Sequence, residues 1–450
     1  MPRRRPVLKN IAILASGGLA ERFLGAVYRV ILARAAGAEA LGLIQFVLPV
    51  LRLASIVGTL GLPQSLTRTV AALLARGRRD DARAVLNWAL RSILTVSSII
   101  AAVLLLFAPC WGTLFPDKRA VPLLRWLAPL LICDCLSWIL QANLQGRNRM
   151  WPVTLAGLLG QSCKLAITLW AMARSSRDPG AMAVTALIAM TAGETTALLF
   201  LAVLTAFSGD IGPARTKPPR RSLLLNSLPL MGDGLVFAVA GAADMVVIPR
   251  RLISAGHAPD TIAGLMGHAW GMALPTLHLP MVAVWPIAAA TLPVMAESLA
   301  RSDLAGLRKR VSITYLCVAG IAAAAAGVFL LFPAPIMKAL YACPEASPYL
   351  RAFALAVFPI YLASIGGTFL AALGMTGLLF RQSLACASVR IFLLYILTGI
   401  PKVGINGAIF AITAGNGLLA LANAWGVWRR LWPGKKPLNS SRVLWKDSAR

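Results

Sequence analysis

Residues 10–53 read NIAILASGGLAERFLGAVYRVILARAAGAEALGLIQFVLPVLRL. The apolar runs on either side of the AAGAEA segment are each long enough to cross the roughly 30 Å hydrocarbon core of a bilayer as an α-helix. Arg22, Arg29 and Arg52 nevertheless lie inside these runs. An ionised side chain at the bilayer centre costs roughly 2.5 to 3.5 kcal/mol even on a lenient insertion scale. The stretch therefore predicts two membrane spans whose arginines face a water-filled cavity that binds an anion.

Apolar runs of this kind recur along all 450 residues, of which 58% are hydrophobic, with a mean hydropathy of +0.75. Because a soluble core has no room for so many, we predict an all-α polytopic membrane protein of about twelve spans. The predicted spans lie near 10–33, 40–63, 87–110, 121–144, 151–173, 180–207, 222–248, 261–290, 311–333, 348–372, 383–400 and 405–428.

The net charge of +28 is unevenly distributed over this map. Most of the 44 Lys and Arg residues fall on the side that carries the N-terminus. The positive-inside rule makes that side cytoplasmic, so we predict a multi-pass protein of the cytoplasmic membrane with both termini inside. Topology and contact with anionic headgroups explain the basic clusters better than nucleic acid does. The predicted partner is the lipid bilayer, with no nucleic acid.

An internal duplication divides the chain. A shift of 226 residues aligns the segment around Pro109 with the segment around Pro335, without a gap. The matched pairs include Pro122 with Pro348, Phe115 with Tyr341, Arg125 with Arg351 and Lys164 with Arg390. Chance rarely repeats both a Pro-x-x-Arg pattern and a basic residue at a fixed distance beyond it. The sequence therefore predicts two related halves.

We place an N-terminal six-helix half at 1–207 and a cytoplasmic linker at 208–221. A C-terminal six-helix half follows at 222–430, with a basic tail at 431–450. Because each half has an even number of spans, the two run parallel and are expected to enclose a central cavity near the midplane. Such a cleft can open alternately to either side, which suits transport.

The candidate anion site lies in spans 1 and 2. Arg22 and Arg29 are seven residues apart and share one helical stripe. In span 2, the ring of Pro49 clashes with the carbonyl of Gln45, so we expect a kink beside Arg52. The candidate substrate-binding residues are Arg22, Arg29, Arg52, Glu21 and Gln45. The alternative is that Glu21 pairs with Arg22 or Arg52 and that Arg29 reaches a membrane surface.

Five acids lie within predicted spans: Glu21, Asp134, Glu194, Asp233 and Asp244. Buried carboxylates take up protons or Na⁺, so Asp233, Asp244 and Glu194 are candidates for coupling transport to an ion gradient. The alternative is that such acids are partners of Lys164 or Arg390.

Span 8 contains His268 and His278 among Pro275, Pro280 and Pro286. The prolines predict a broken helix. A histidine there titrates near neutral pH, so His268 is a further candidate for ion coupling, against the alternative of a polar packing residue.

No catalytic motif accompanies these residues. The sequence has no P-loop, no G-x-S-x-G and no metal-ligand cluster, which disfavours an ATP-driven pump or a membrane hydrolase. We predict no enzymatic activity, no metal site and no cofactor beyond a coupling Na⁺ or H⁺. Transport then draws on a gradient or on the membrane potential.

The first two spans resemble a known family. The resemblance lies in Gly25, Tyr28-Arg29, Ala33-Arg34, Gly37, Leu41-Gly42, Pro49 and Gly61-Leu62-Pro63. This pattern is similar to the start of the stage V sporulation protein B and lipid II flippase (MurJ) group. That group belongs to the multidrug/oligosaccharidyl-lipid/polysaccharide (MOP) exporter superfamily.

The resemblance implies a V-shaped, twelve-helix core that flips polyprenyl-diphosphate-linked saccharides outward by alternating access. It also implies that arginines of spans 1 and 2 bind the diphosphate, a role that Arg22, Arg29 and Arg52 match in position. Span 8 differs, since His268 and His278 stand where a basic ligand is expected. Two other functions remain open, a cation-coupled multidrug antiporter and a non-transporting scaffold for envelope-synthesis proteins. The predicted function is a flippase for a peptidoglycan or other envelope polysaccharide precursor.

Overall fold

The computed structural model describes residues 4–115, 117–172, 174, 178–213, 216, 218, 220–300 and 303–432. Within these ranges every regular element is a helix and no strand is present. The α-helices are α1 Arg4–Gly58, α2 Leu62–Ala75, α3 Arg79–Leu106, α4 Ala108–Gly112, α5 Ala120–Gly146, α6 Trp151–Met172, α7 Pro179–Phe207, α8 Arg220–Ser254, α9 Pro259–Met266, α10 Leu274–Leu277, α11 Met281–Ala300, α12 Leu304–Leu331, α13 Pro333–Tyr341, α14 Ser347–Ala372, α15 Thr376–Thr398 and α16 Gly404–Leu431.

The described part of the chain holds 10 helical segments that are long and apolar enough to cross a membrane. One of them, Gly17–Ala75, includes most of the first predicted span and all of the second, and α8 includes the seventh predicted span. The prediction of an all-helical, polytopic membrane protein is therefore confirmed, and the count is consistent with about twelve spans. Large apolar side chains such as Phe207, which is 88% exposed, have the lipid-facing positions that such a protein requires.

The first two predicted spans form one continuous element. The helical geometry of α1 breaks at Gly37, which has φ 73° and ψ 178°. This conformation is nearly restricted to glycine, because a Cβ would clash with the backbone. The break lies in the predicted connection between the spans, whereas Pro49, where we expected a kink, lies inside the helix.

The helices group into two compact units. The first contains residues 1–272 with 340–343, and the second contains 273–339 with 344–450. The chain thus passes from one unit to the other inside predicted span 8. The division into 1–207, 208–221, 222–430 and 431–450 stays a prediction, based on the repeat rather than on packing.

In the first unit, α1 packs against α5, α6, α7, α8 and α9. The contact with α9 is especially close. A methyl group added at Gly42 would collide with the carbonyl oxygen of Ala263, and one added at Gly267 would collide with that of Ala38. Farther along the chain, α5 packs on α3 and α7, and α6 packs on α7. This arrangement surrounds the arginine-bearing helix with others of the same unit.

In the second unit, α14 is central and packs against α12 and α16, while α15 packs on α16. Its core includes Phe353, Tyr361 and Phe369, all fully buried. The Tyr361 hydroxyl donates to the carbonyl of Leu277 at 2.6 Å, and the Asn423 amide donates to that of Ala363 at 3.0 Å.

The helix predicted to be broken around the prolines of span 8 is broken, as expected. A π-helical turn, Gly267–Ala273, follows α9, and the short α10 ends at Leu277 before α11 begins. His268 lies half-buried in the π-helical turn. The Nδ1 atom of His278 lies 2.9 Å from the carbonyl oxygen of Leu274.

Candidate functional site

The first unit contains a cavity of about 690 Å³. Its wall is formed by α1, with Arg29 before the break at Gly37 and residues from Gln45 onward after it, and by residues of α5, α7 and α8, together with the start of α2. The polar side chains that line it are Arg29, Gln45, Arg52, Ser55, Thr59, Gln64, Asp134 and Trp138. Ligand pockets commonly measure about 300 to 1,000 Å³, so this space is large enough for a saccharide or phosphate group.

Arg29 and Arg52 supply the positive charge of the cavity. Both side chains are exposed, and both belong to the lining. Within the described part of the chain, neither guanidinium has an ion pair or a side-chain hydrogen bond. Two cations without counterions in one cavity at this depth are costly unless water or an anion solvates them. The cavity therefore has the charge that an anionic ligand requires.

The predicted substrate-binding residues divide into two groups. Arg29, Arg52 and Gln45 are brought together by the cavity, with Gln45 half-buried in its wall. Arg22 and Glu21 are not among the lining residues. The charge of Glu21 interacts with those of Arg22 and Lys164, and its carboxylate occupies the space left by the missing side chain of Gly157. The role of Arg22 and Glu21 in binding stays a prediction.

One carboxylate, Asp134, also lines the cavity. It accepts a hydrogen bond from the Ser55 hydroxyl at 2.7 Å and another from the indole N–H of Trp138 at 3.0 Å. Trp138 lies one helical turn after Asp134 on α5, and its side chain is 52% exposed. These bonds hold the aromatic ring against the carboxylate in the cavity wall.

A second cluster of charges lies where α1, α6 and α7 meet. The Lys164 ammonium lies 4.3 Å from the centroid of the Tyr28 ring. Its charge interacts favourably with those of Glu194 and Glu21. Glu194 is half-buried, as is Lys164. This arrangement corresponds to the alternative in which a membrane carboxylate is the partner of Lys164, and the role of Glu194 in ion coupling stays a prediction.

The remaining ion-coupling candidates lie on α8 and in the π-helical turn. Asp244 is 5% exposed and has an interaction partner. The side chain of Asp233 lies outside the described part of the structure. His268 also has a partner. Their roles in coupling stay predictions. No group of three or more His, Cys, Asp or Glu residues with metal-binding geometry occurs among the described residues.

Comparison with known proteins identifies the family. The model of the family described as "Polysaccharide biosynthesis protein" matches residues 7–299. The chain belongs to this family. The match includes the whole of the cavity wall, from Arg29 on α1 to Gly241 on α8. The cavity is therefore part of the region by which the family is defined.

Proteins similar to this chain in sequence or in fold match most of its length. The stage V sporulation protein B of Bacillus subtilis (strain 168) is 27% identical over 436 residues, which covers 94% of this chain and 83% of that protein. An inward-facing multidrug resistance MATE family transporter of the MOP superfamily has the same fold, with a TM-score of 0.73 at 16% identity. That comparison covers 91% of this chain and 94% of the other.

A second structural match is a MOP superfamily transporter from Pyrococcus furiosus Vc1 (DSM3638), with a TM-score of 0.65 at 17% identity over 94% of this chain and 95% of that one. Its binding pocket is described as having reverse polarity, suggesting a different function. The chain thus has the fold of these MOP superfamily transporters and belongs to the family that its sequence matches. The predicted fold class and the predicted relationship are confirmed.

Five polar lining residues were not predicted from the sequence as cavity residues: Ser55, Thr59, Gln64, Asp134 and Trp138. Trp138 follows Asp134 by four positions on one helix, a spacing that puts both on the same face. That spacing is a usable signal, because an aromatic side chain beside a membrane carboxylate has a partner for its N–H. Gln64 is on α2, after the turn at Gly61, and no periodicity in the sequence indicates that it faces a cavity.

Proposed function

We propose that this protein translocates a polyprenyl-diphosphate-linked saccharide, a precursor of peptidoglycan or another envelope polysaccharide, across the cytoplasmic membrane by alternating access. The observation that carries the proposal is that Arg29 and Arg52 line one cavity, with no ion pair for either guanidinium among the described residues. The family membership supports a cargo related to polysaccharides.

A diphosphate matches this pair of arginines chemically. A guanidinium donates parallel hydrogen bonds to two phosphate oxygens, and such charge-assisted bonds are about twice as strong as neutral ones. Two arginines therefore suit a group with two phosphates better than a group with one charge. Gln45, half-buried in the same wall, adds an amide that donates to an oxygen or accepts from a hydroxyl.

The saccharide would occupy the part of the cavity near Asp134 and Trp138. A carboxylate that accepts from Ser55 and Trp138 still has lone pairs for the hydroxyl groups of a sugar. The half-exposed indole offers an apolar ring face, and Gln64 offers a further amide. The prenyl chain would remain in the lipid, in a groove between helices.

The proposal also includes the orientation of the protein in the membrane and the energy source for transport. The excess of Lys and Arg on one side assigns the termini to the cytoplasm. Glu194, Asp233, Asp244 and His268 are the residues through which Na⁺ or H⁺ would couple to transport. Proteins of envelope synthesis would deliver and receive the lipid-linked saccharide.

The direct test is flipping in proteoliposomes. A double variant, R29Q with R52Q, removes both guanidinium groups, and R68Q with R351Q is a matched control that removes two exposed arginines outside the cavity wall. The assay follows a labelled undecaprenyl-diphosphate saccharide that becomes accessible to a membrane-impermeant reagent. Loss of two charge-assisted contacts predicts at least about a hundredfold slower flipping. The control should keep the wild-type rate.

A third variant, R29K with R52K, separates charge from geometry. Lysine keeps the positive charge but not the planar fork, so flipping at an intermediate rate is expected. A folded R29Q/R52Q protein that flips the substrate at the wild-type rate would refute the proposal.

The second candidate is a cation-coupled drug exporter. Asp134 and Trp138 favour it, because a carboxylate beside an aromatic ring suits a cationic amphiphile. The two arginines in the same cavity oppose such a cargo by like-charge repulsion. Dye efflux from cells that is abolished by D134N and unchanged by R29Q with R52Q would reverse the order of the two candidates.

A further inference from the structure

A second polar cavity, of about 480 Å³, lies in the first unit beside the predicted linker. Its wall is formed by the beginning of α3, by residues of the segment between α7 and α8, and by the first residue of α8. The residues that matter for its chemistry are Asn87, Trp88 and Arg91 on α3 and Arg220 on α8.

Hydrogen bonds fix the segment that closes this cavity. Arg83 Nε donates to the carbonyl of Gly209 at 2.8 Å, and the Asn87 amide donates to that of Gly212 at 2.7 Å. Thr216 forms a side-chain hydrogen bond with Asp81. The segment is thus attached to the first turns of α3 at three points, so the cavity is a built feature of the fold.

The charge in this cavity is positive. Arg91 and Arg220 are both exposed, and none of the described lining residues is an acid. Neither guanidinium has an ion pair or side-chain hydrogen bond within the described part of the chain.

The acids nearby are already neutralised by other arginines. Asp81 pairs with Arg78 at 2.5 Å, Asp80 pairs with Arg83 at 3.2 Å, and Asp210 pairs with Arg147 at 2.8 Å. No carboxylate of these three is left for Arg91 or Arg220, so the cavity attracts an external anion.

The length of α3 indicates that this cavity lies near a membrane surface. α3 has 28 residues, which corresponds to about 42 Å and exceeds the roughly 30 Å hydrocarbon core. Phe107 and Trp111 lie exposed at its far end. Trp88 lies about twenty residues before Phe107, which is the length of one membrane span. Trp88 is therefore where a tryptophan at the other membrane interface is expected. With Trp88 at the interface, Leu94, which is one turn beyond Arg91 and 47% exposed, is expected to face acyl chains.

We infer that this cavity binds the phosphate headgroup of an anionic phospholipid, held between the guanidinium groups of Arg91 and Arg220, with Trp88 at the level of the glycerol and Leu94 against the acyl chain. Basic pockets between helices at the cytoplasmic surface are suited to such headgroups. The bound lipid would connect α3 to the start of α8, across the segment that joins the two predicted halves. This site is separate from the Arg29 and Arg52 cavity, so it does not depend on the proposed cargo.

The test uses the full chain purified in a neutral detergent. The probes are phosphatidylglycerol, phosphatidylcholine with the same acyl chains, and inorganic phosphate at the same concentration. Native mass spectrometry measures the fraction of protein with bound lipid, and thermal unfolding measures stabilisation. Phosphatidylglycerol is expected to bind and to raise the melting temperature, and the other two probes are not.

The variant R91Q with R220Q removes both cavity charges, and R68Q with R76Q removes two exposed arginines from the same side outside the cavity. Each charge-assisted contact to phosphate corresponds to about a tenfold change in affinity, so R91Q and R220Q as single variants should each weaken phosphatidylglycerol binding about tenfold. The single variants serve if the double variant does not fold. The control should bind like the wild type.

Three outcomes would overturn the inference. One is phosphatidylglycerol binding that is equal in the wild type and in the cavity variants. Another is equal binding of phosphatidylcholine, which would show a purely apolar lipid contact. The third is equal stabilisation by inorganic phosphate, which would make the occupant a free anion. Because none of these outcomes involves flipping of the saccharide, they are independent of the proposed function.

Discussion

The two units use the same packing order but different chemistry. In the first, α5 packs on α3 and α7, and α6 packs on α7. In the second, α14 packs on α12 and α16, and α15 packs on α16. These are the helices that the internal sequence repeat aligns, so the repeat recurs in the order in which helices pack within each unit.

The difference lies in the acids. The first unit has Glu21 on α1, Asp134 on α5 and Glu194 on α7. The α-helices between Leu304 and Leu431 contain no Asp or Glu at all. Lys164, which lies near two carboxylates, therefore aligns with Arg390 of a region whose α-helices have none. The duplicated scaffold has kept a basic residue at both positions, whereas only the first has neighbouring acids on the same set of helices.

The comparison indicates which charges have acidic neighbours in the first unit. A basic residue next to acids in a membrane has a pair to form or to break. In the second unit, the stem of Arg390 packs at Gly415, where an added methyl group would collide with it, and Arg390 has an interaction partner as well. We therefore expect ionic function around Lys164 in the first unit.

The largest expected effect comes from the two aligned basic residues. Lys164→Met leaves Glu194 without the cation with which its charge interacts, and an uncompensated buried charge costs about 3 to 5 kcal/mol. Arg390→Met removes a residue that has its own interaction partner, so the aligned substitution measures how much the acids near Lys164 add to the loss. Thermal or denaturant unfolding in detergent measures both.

The control for this pair is Lys164→Met combined with Glu194→Gln. Removing both charges should recover part of the lost stability, and a double-mutant cycle gives the coupling between the two residues. No recovery in the double variant would contradict the ionic role that we assign to Lys164 in the first unit.

The sequence was sufficient for the broad architecture because the bilayer imposes one rule on every span. Apolar length and basic loops predicted the helices of α3, α5 to α8 and α12, and the prolines of span 8 predicted its break. It also predicted that Arg22, Arg29 and Arg52 face a common cavity, on the ground that an arginine cannot be left in lipid. Arg29 and Arg52 do line one cavity, whereas Arg22 is not among its lining residues.

Other features depend on distances that no local pattern encodes. The break in α1 falls at Gly37, not at Pro49, because a proline is tolerated inside a long helix when its neighbours adapt. Trp138 lines the cavity beside Asp134, to which its indole N–H donates a hydrogen bond. The boundary of the compact units inside span 8 follows from packing of α8 and α9 onto α1. Such long-range contacts are not visible in the order of residues.

A smaller effect is expected from two glycines, one in each unit. Gly37→Ala puts a Cβ on a residue with φ 73° and ψ 178°, a strain of about 1 to 3 kcal/mol. Gly417→Ala lies in the middle of α16 with open space around the added methyl group, so it should stabilise by about 0.5 to 1 kcal/mol. Melting temperatures of the two variants should move in opposite directions.

The Gly37 variant also tests whether the break in α1 matters for transport. If the break is needed only for folding, the flipping rate per folded molecule stays at the wild-type value. If α1 bends there during each cycle, the rate falls while Gly417→Ala stays normal. A stabilised Gly37→Ala protein would show that the glycine conformation in the first unit is not required.

The smallest expected effect is a pH dependence of stability at Arg119, whose aligned position in the second repeat is Glu345. Arg119 donates to Glu39 and to Asp117, each at 2.6 Å, and so joins α1, just after its break, to the start of α5. The repeat aligns Arg119 with Glu345, so the second unit has the opposite charge at this place. Burial raises the pKa of Asp117, but its hydrogen bonds to Arg119 lower it by more, leaving a net pKa below the ordinary value.

A carboxyl group whose pKa is lower in the folded state stabilises the fold above its unfolded pKa, about 3.9, and loses that contribution as the pH falls through the folded value. The melting-temperature difference between the wild type and Asp117→Asn should therefore be largest near pH 7, begin to decrease as the pH approaches about 4, and vanish only below the folded pKa of Asp117. Because the Arg119 side chain is 39% exposed, solvent screening limits the contribution to less than about 1 kcal/mol. Arg119→Gln should abolish the difference at every pH. A difference that grows as the pH falls would mean that the carboxyl is neutral in the folded state, and the ion cluster would then not be what holds α1 to α5 in the first unit.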